Sequence, residues 1–227
     1  MRLVSYNIRK AVGLDWRRDP ARIVDVLAEI DADIVVLQEA DRRFGSKEGV
    51  LPLDRLELDL GLTNCDLSIR PQSQGWHGNA VFAKQHLSDR RAARIALPSI
   101  DPRGAVAVHF VQPNVEIVGV HLGLTPGMRR KQMEVLNDVL KNRPHPVLLA
   151  GDFNEWRKKR LRFRDADAIE NPGHSFHTAR PIYALDLFVL SRGVKAISSH
   201  VHRSPLANRA SDHLPVVIDF AVTGRAQ

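Results

Sequence analysis

The stretch GAVAVHFVQPNVEIVGVH, residues 104–121, decides how this chain folds. Apolar residues alternate with small or polar ones on both sides of Pro113-Asn114, a pair typical of turns. The alternation predicts two antiparallel strands, 104–111 and 115–121. A third strand is predicted over 92–97, before a turn at Asp101-Pro102. Short turns favour an antiparallel run, because parallel neighbours need a long crossover connection.

Towards the N-terminus the same pattern predicts strands at 64–70 and 78–84. No helix is expected between residues 64 and 121, so a doubly wound parallel sheet, which needs crossover helices, is disfavoured. Strands are also predicted at 2–8 and 33–37, with an amphipathic helix over 20–30 between them that begins at Asp19-Pro20. The chain therefore mixes helical crossovers with antiparallel runs.

The rest of the chain adds helices and strands in the same mixed order. Helices are predicted over 51–61, from Thr125-Pro126 to Pro144 and in part over 155–170, strands at 146–150, 185–190, 194–202 and 214–221, and a frayed tail at 222–227. Several buried strands and three or four helices predict a four-layered α/β sandwich, with two mixed, largely antiparallel sheets flanked by helices.

Composition places the chain among ordinary globular proteins. Its 227 residues are 44% hydrophobic and 26% charged, and we expect residues 1–227 to form a single domain. The one cysteine, Cys65, excludes an internal disulfide and is expected to be a buried thiol. No apolar run approaches the ~20 residues of a membrane span, and no secretory signal precedes the first strand. A cytoplasmic protein is the resulting expectation.

The charge balance points to anionic partners, although weakly. The formal net charge is +7, which favours nucleic acid, phospholipid head groups or phosphorylated small molecules. The densest basic cluster contains Arg157, Lys158, Lys159, Arg160, Arg162 and Arg164. It is either a solvated face or a patch that faces substrate, and the sequence leaves both interpretations open.

Four predicted strands end in strongly polar residues. They are Tyr6-Asn7, Gln38-Glu39, Gly151-Asp152-Phe153-Asn154 and Ser211-Asp212-His213. Each has a plain alternative, such as a solvent-exposed strand end or an Asx turn. A carboxylate beside an apolar strand is nevertheless costly without a partner, and a shared Mg²⁺ ion, which prefers oxygen ligands, is such a partner.

These residues carry a resemblance to a known family. The motifs are Val4-Ser5-Tyr6-Asn7-Ile8, Ile34-Val35-Val36-Leu37-Gln38-Glu39, Gly78-Asn79-Ala80-Val81-Phe82, Gly119-Val120-His121-Leu122-Gly123, Leu148-Leu149-Ala150-Gly151-Asp152-Phe153-Asn154, Ala184-Leu185-Asp186-Leu187-Phe188-Val189 and Ser211-Asp212-His213-Leu214-Pro215-Val216. In kind and order they resemble the endonuclease/exonuclease/phosphatase family of metal-dependent phosphoesterases. The resemblance implies the same two-sheet sandwich that the strand pattern predicts.

The resemblance also implies roles for individual residues. Glu39 matches the principal metal-binding glutamate, with Asn7 beside it and Asp212 near the metal. Asp152 matches the aspartate that orients or deprotonates the attacking water, and Asn154 the amide that binds the phosphoryl oxygen. The expected metal is Mg²⁺, or Mn²⁺ in its place.

Further roles follow from the later motifs. His213 matches the active-site histidine and Asp186 the aspartate that holds its ring, while either His213 or Asp152 could be the general base. His121 matches the histidine of the phosphatase and phosphodiesterase branches, where abasic endonucleases commonly carry tyrosine. Asn79 is expected to be a supporting residue near the substrate phosphate. Apart from the resemblance, Arg9 and Lys10 directly follow Asn7 and could contact the same phosphate.

The expected activity is Mg²⁺-dependent hydrolysis of a phosphate ester, as a phosphodiesterase or phosphatase that works by in-line attack of water. The substrate class stays open among small molecules, phospholipid head groups and nucleic acid. A DNA or RNA nuclease using the same residues is the alternative, and a non-catalytic nucleic-acid or lipid head-group binding module is a remote one. The oligomeric state is not predicted.

Overall fold

A computed structural model describes residues 1–42, 45, 48–99 and 103–223. The described strands are β1 (Arg2–Asn7), β2 (Ile34–Gln38), β3 (Leu62–Asn64), β4 (Ala80–Lys84), β5 (Arg90–Ile95), β6 (Ala105–Phe110), β7 (Val115–His121), β8 (Val147–Asp152), β9 (Ala168–Glu170), β10 (Asp186–Leu190), β11 (Val194–Val201) and β12 (Val216–Val222). The described α-helices are α1 (Pro20–Ile30), α2 (Leu53–Leu60), α3 (Pro126–Asn142) and α4 (Ala207–Ala210). Short 3₁₀ turns lie at Arg9–Ala11, Gln85–Leu87 and Lys158–Arg160.

The strands form two six-stranded sheets. The first sheet has the order β11-β12-β1-β2-β4-β3 and the second β5-β6-β7-β8-β10-β9. In each sheet one central pair of described strands is parallel, β1 with β2 and β7 with β8, and the other pairs are antiparallel. The predicted sheets, mixed and largely antiparallel, are therefore confirmed.

Three apolar layers hold the sheets and helices together. Between the sheets lie buried side chains that include Phe110, Leu148 and Phe188. On the outer face of the first sheet, α1 and α2 bury residues such as Ile23, Leu27 and Leu56. On the outer face of the second sheet, α3 buries Met133, Leu136 and Leu140. Helix, sheet, sheet and helix make the four predicted layers.

The two long helices follow their sequence signals. Asp19 caps α1, because its carboxylate accepts a hydrogen bond from the backbone N–H of Arg22 at 3.1 Å, and Pro20 occupies the first turn. The α3 helix begins with Pro126, as predicted, and ends before Pro144. No helix in the described part of the chain is long and apolar enough to span a membrane.

Some predicted elements differ from the structure, and others lie on residues that the structure does not describe. The strand predicted at 64–70 ends at Asn64, because the carbonyls of Leu67 and Ser68 are bonded by the Arg94 guanidinium rather than by a strand. Segment 155–170 contains only a 3₁₀ turn and β9, and α4 was not predicted. The turn at Asp101-Pro102 and most of the tail at 222–227 lie outside the described residues.

The topology brings the polar strand ends to one edge. In parallel neighbours the carboxyl ends of both strands meet at the same edge, so Asn7 pairs in register with Gln38, and His121 with Asp152. The antiparallel strand β10 begins at that edge, with Asp186 opposite Asp152. Three of the predicted catalytic side chains thus become neighbours through strand pairing alone.

Candidate active site

The two sheets meet through the carboxylate of Asp152. Asn7, from the first sheet, donates its side-chain N–H to Oδ2 of Asp152 at 3.2 Å. Nε2 of His121 lies 3.4 Å from the same oxygen and Nε2 of His213 lies 3.8 Å from it. All four side chains are buried. Oδ2 of Asp152 is therefore the point on which three of the predicted site residues, Asn7, His121 and His213, converge.

Asp186 holds the ring of His213 from the opposite side. Nδ1 of His213 lies 2.9 Å from Oδ2 of Asp186. The same carboxylate oxygen accepts a hydrogen bond from the hydroxyl of Ser175. The ring is thus fixed with Nδ1 towards Asp186 and Nε2 towards Asp152, the orientation of a histidine braced by a carboxylate. Ser175 was not predicted, since only folding brings its loop to β10.

The two carboxylates set the charge of His213. Burial alone would lower the pKa of His213, but Asp186 and Asp152 outweigh burial and raise this pKa to about 10. Burial raises the pKa of Asp152 to about 6, against the opposing influence of the His213 charge. At neutral pH His213 is therefore protonated and Asp152 is mostly ionised.

His121 has the opposite protonation. Its pKa is lowered well below the ordinary value, first by burial and then by the positive charges of Arg103, His213 and Lys10. His121 is therefore neutral at pH 7. The two histidines around Asp152 thus differ in charge, and a neutral ring beside a charged one supplies hydrogen bonds of different strength to a bound anion.

Asn154 lies in the turn that follows β8. Its backbone N–H donates to Oδ1 of Asp152 at 2.9 Å, and its side-chain amide donates to the Leu122 carbonyl at 3.0 Å. The residue has a positive φ of 51°. The Asx turn considered from the sequence is therefore present, and it places Asn154 beside Asp152.

The carboxylates of Glu39 and Asp212 lie at the mouth of the site. Glu39, at a positive φ of 55°, follows β2 and pairs with the ammonium of Lys10. Asp212 pairs with Arg9, whose Nε lies 3.4 Å from Oδ2 of Asp212. The backbone N–H of Arg9 also donates to Oδ1 of Asn7 at 3.1 Å. The turn after β1 therefore links the three residues predicted to bind metal.

Two groups of residues could hold a metal ion. Glu39, Asn7 and Asp212 supply the hard oxygen donors that Mg²⁺ prefers, and both carboxylates are partly exposed. Each carboxylate pairs with a cationic side chain, Glu39 with Lys10 and Asp212 with Arg9. A bound metal ion would take the place of these cations as the positive partner. Asp152, Asp186 and His213 also place one ligand atom each within 4.8 Å of one another. A divalent cation thus fits the chemistry of the donors.

Asn79 does not reach the Asp152 cluster through any contact in the described residues. Its side chain is buried and donates to the Gly104 carbonyl at 3.0 Å. This bond steadies the segment that carries Arg103, whose guanidinium donates to the Leu122 carbonyl at 2.7 Å. Sequence reasoning missed Arg103, because no motif surrounds it and its place beside His121 depends on tertiary folding.

A cavity of about 230 Å³ opens beside these residues. Its wall includes Lys10, Glu39, Trp76, His77, Arg103 and His121. The cavity therefore extends from the Lys10–Glu39 pair to His121, and it leaves room for a ligand beside His121.

A buried carboxylate between two histidines, at the edge of a two-sheet sandwich, has the groups that general acid–base chemistry uses. The sequence profile of the Endonuclease/Exonuclease/phosphatase family matches residues 4–213, so the chain belongs to this family. Enzymes of the family are generally metal-dependent phosphoesterases or nucleases.

One curated relative is "Uncharacterized protein YbhP" of Escherichia coli strain K12. It is 33% identical over 92 residues, a match that covers 38% of this chain and 36% of YbhP. The chain thus spans little more than a third of that relative's length.

Solved structures show the same fold at low sequence identity. An endonuclease/exonuclease/phosphatase from Beutenbergia cavernae superposes with a TM-score of 0.71 and 22% identity, over 99% of this chain and 72% of that one. D. rerio TDP2 in complex with a single-strand DNA product superposes with a TM-score of 0.70 and 16% identity, over 98% and 99% of the two chains.

Proposed function

We propose that residues 1–227 form a single catalytic domain that hydrolyses a phosphate ester with Mg²⁺ or Mn²⁺. The observation that carries the proposal is the convergence of Asn7, His121 and His213 on Oδ2 of Asp152, at 3.2, 3.4 and 3.8 Å. A folding core does not need this arrangement, because burying a carboxylate costs stability that its polar neighbours only offset. Phosphoryl transfer does need positioned polar groups of this kind.

The metal would be held by Glu39, with Asn7 and Asp212 beside it. When bound, it would polarise a phosphoryl oxygen and offset the negative charge that builds up there. Lys10 and Arg9 now neutralise these carboxylates. Both cations would be free to bind substrate phosphate once the carboxylates have another partner, which is the role expected for Arg9.

Asp152 is the proposed general base. His213 already carries a proton, because its pKa is raised to about 10 by the two carboxylates, whereas Asp152 is mostly ionised at neutral pH. Asp152 would orient a water molecule with Oδ2 and accept its proton as the water attacks phosphorus. Of Asp152 and His213, only Asp152 is unprotonated at neutral pH and can therefore accept a proton.

The remaining residues would stabilise negative charge on the phosphoryl group. Protonated His213 can donate from Nε2, and Asp186 keeps the ring in place through Nδ1. Asn154 and neutral His121 would donate further hydrogen bonds to the phosphoryl oxygens. Asn79 would act indirectly, by holding the segment of Arg103.

Hydrolysis of bis-p-nitrophenyl phosphate and p-nitrophenyl phosphate, with Mg²⁺ or Mn²⁺ and with or without EDTA, tests the proposal. We expect turnover that EDTA abolishes and that Asp152→Asn lowers at least ~100-fold. Asp138→Asn, an exposed aspartate on α3, is the matched control and keeps full activity. Metal-independent turnover, or full activity in Asp152→Asn, contradicts the proposal, whereas the absence of any turnover favours a non-catalytic binding module.

A further inference from the structure

Two exposed aromatic side chains lie together in the loops that flank the site. The side chains of Trp156 and Tyr183 are 53% and 42% exposed, and their ring centroids are 5.8 Å apart at an interplanar angle of 49°. Single exposed apolar residues are common, but a pair of large rings in contact offers a continuous face to a ligand. Aromatic faces of this kind stack on other planar groups.

Trp156 is tied to the site through a buried ion pair. It follows Asn154 by two residues, and between them the Glu155 carboxylate accepts a hydrogen bond from Arg129 at 2.8 Å. Both members of the pair are 1% exposed, and the Arg129 guanidinium lies 6.0 Å from the Trp156 ring. The loop after β8 is therefore anchored at Glu155, the residue that precedes Trp156.

Tyr183 is tied to the other half of the site. Its carbonyl accepts the backbone N–H of Ser175 at 3.0 Å, and its own N–H donates to the Phe176 carbonyl at 2.9 Å. Ser175 in turn bonds Asp186, and the Phe176 ring lies 4.8 Å from the His213 ring. Both aromatic residues therefore lie in loops that also position the predicted catalytic groups, and their rings contact each other.

A run of positive charge follows Trp156 directly. The exposed cations are Arg157, Lys158, Lys159, Arg160, Arg162 and Arg164. Within the described part of the chain none of them forms an ion pair. The segment is a 3₁₀ turn and irregular chain rather than a helix face. Its charge is therefore available to an anionic partner, which favours the second of the two interpretations of this cluster.

We propose that this surface, Trp156, Tyr183 and residues 157–164, binds single-stranded nucleic acid. Bases would stack on the two rings, while the phosphates beside them contact the cations. The inference rests on the proposed function, because it makes a phosphodiester of the bound strand the ester hydrolysed at Asp152. A duplex fits less well, since its bases are already stacked on one another and do not offer free faces.

A strand suits this surface better than a lipid head group. The two rings are in contact, and the cations continue along the chain directly from Trp156, so the surface offers planar groups for bases next to positive charge for phosphates. Helices that lie on a membrane are amphipathic and bury an apolar face in the lipid. The segment 157–164 is a 3₁₀ turn and irregular chain and does not form such a helix.

Binding is tested by fluorescence anisotropy with labelled oligothymidylate and oligouridylate, in the Asp152→Asn background with Mg²⁺ so that the strand stays intact. We expect Trp156→Ala and Tyr183→Ala each to weaken binding about 5- to 100-fold. On an abasic oligonucleotide of the same length, which lacks planar groups, both substitutions should have little effect. Equal losses on the two strands would contradict the stacking role.

The charge contribution is tested by changing Arg157, Lys158, Lys159 and Arg160 together to Gln. The slope of log affinity against log salt should become shallower by about 0.7 for each phosphate that is no longer neutralised. The matched control removes the same charge from Arg91, Lys141, Arg192 and Lys195, exposed cations away from the site edge, and should leave the slope and turnover unchanged. Equal effects of the two sets would overturn the proposal.

Three outcomes separate this inference from the proposed function. Turnover of bis-p-nitrophenyl phosphate without binding of either oligonucleotide overturns the inference and leaves the proposed function standing. Binding without any metal-dependent turnover contradicts the proposed function and therefore the substrate assignment. Cosedimentation with phosphatidylserine vesicles, without oligonucleotide binding, assigns the surface to a membrane and also overturns the inference.

Discussion

Nδ1 of His213 lies 2.9 Å from Oδ2 of Asp186, and both side chains are buried. The bond joins strand β10 to the segment just before β12. It therefore connects the two sheets at the edge where the polar strand ends meet. Because the Asp186 charge helps to raise the pKa of His213, the bond controls charge as well as orientation. The protonated state of His213 therefore depends on Asp186.

Asp186→Asn should lower kcat about 10- to 100-fold with little change in KM, because the ring loses its charged support but its neighbours stay in place. The pKa of His213, followed by NMR, should fall, since a raising influence is removed. Asp138→Asn serves again as the control. An unchanged His213 pKa would show that Asp186 does not set the charge of the ring.

Glu39→Gln should weaken the apparent affinity for Mg²⁺ about 10- to 100-fold, because the amide keeps the shape of the side chain and loses its charge. The measurement is a Mg²⁺ titration of turnover, supported by calorimetric binding of Mn²⁺. Glu57→Gln, an exposed glutamate on α2, is the matched control. If Glu39→Gln leaves the metal titration unchanged, Asp152, Asp186 and His213 become the preferred metal ligands.

Glu155→Ala should destabilise the fold by roughly 3–5 kcal/mol, because it leaves the Arg129 guanidinium buried without its carboxylate. Urea unfolding measures the loss, with Glu134→Ala, an exposed glutamate on α3, as the control. The double variant that also carries Arg129→Met should lose less than Glu155→Ala alone. A double variant that loses the sum of the single effects would mean that the pair is not coupled.

Cys65 should be unreactive in the native protein. Burial raises the pKa of its thiol to about 12, so at pH 8 Ellman's reagent should label it only after unfolding. The raised pKa contributes stability that is fully present below the unfolded value of about 8.5 and is lost as pH rises towards 12. Urea midpoints should therefore fall more steeply above pH 8.5 in the wild type than in Cys65→Ala, and parallel curves would contradict this.

Helices and strands were predicted correctly where a short residue pattern in the sequence is enough to specify them. The cap at Asp19 and Pro20 places the start of α1, and alternation places β7 at 115–121. The strand predicted at 64–70 was wrong because long-range contacts determine the conformation of this segment. Its carbonyls are bonded by Arg94, a residue on a distant strand, and no local pattern reports such a contact.

The site was predictable to the extent that it lies at strand ends. Strand register alone makes His121, Asp152 and Asp186 neighbours. Placing their motifs on the correct strands was therefore enough to predict that these side chains lie together. Arg103, Ser175 and Tyr183 were missed because loops bring them to the site through long-range bonds. The assigned roles of the site residues stay predictions until the variants are measured.

Pairing between β1 and β12 has a consequence for folding on the ribosome. Arg2 and Asp219, partners in this pairing, are 217 positions apart, whereas the strands of the second sheet all lie between residues 90 and 190. Contacts between distant residues form slowly, so the second sheet should assemble first as the chain emerges. The first sheet stays open along one edge of β1 until translation reaches β12. A ribosome stalled just before that point should carry a chain in which the second sheet is formed and the edge with the predicted site residues is incomplete.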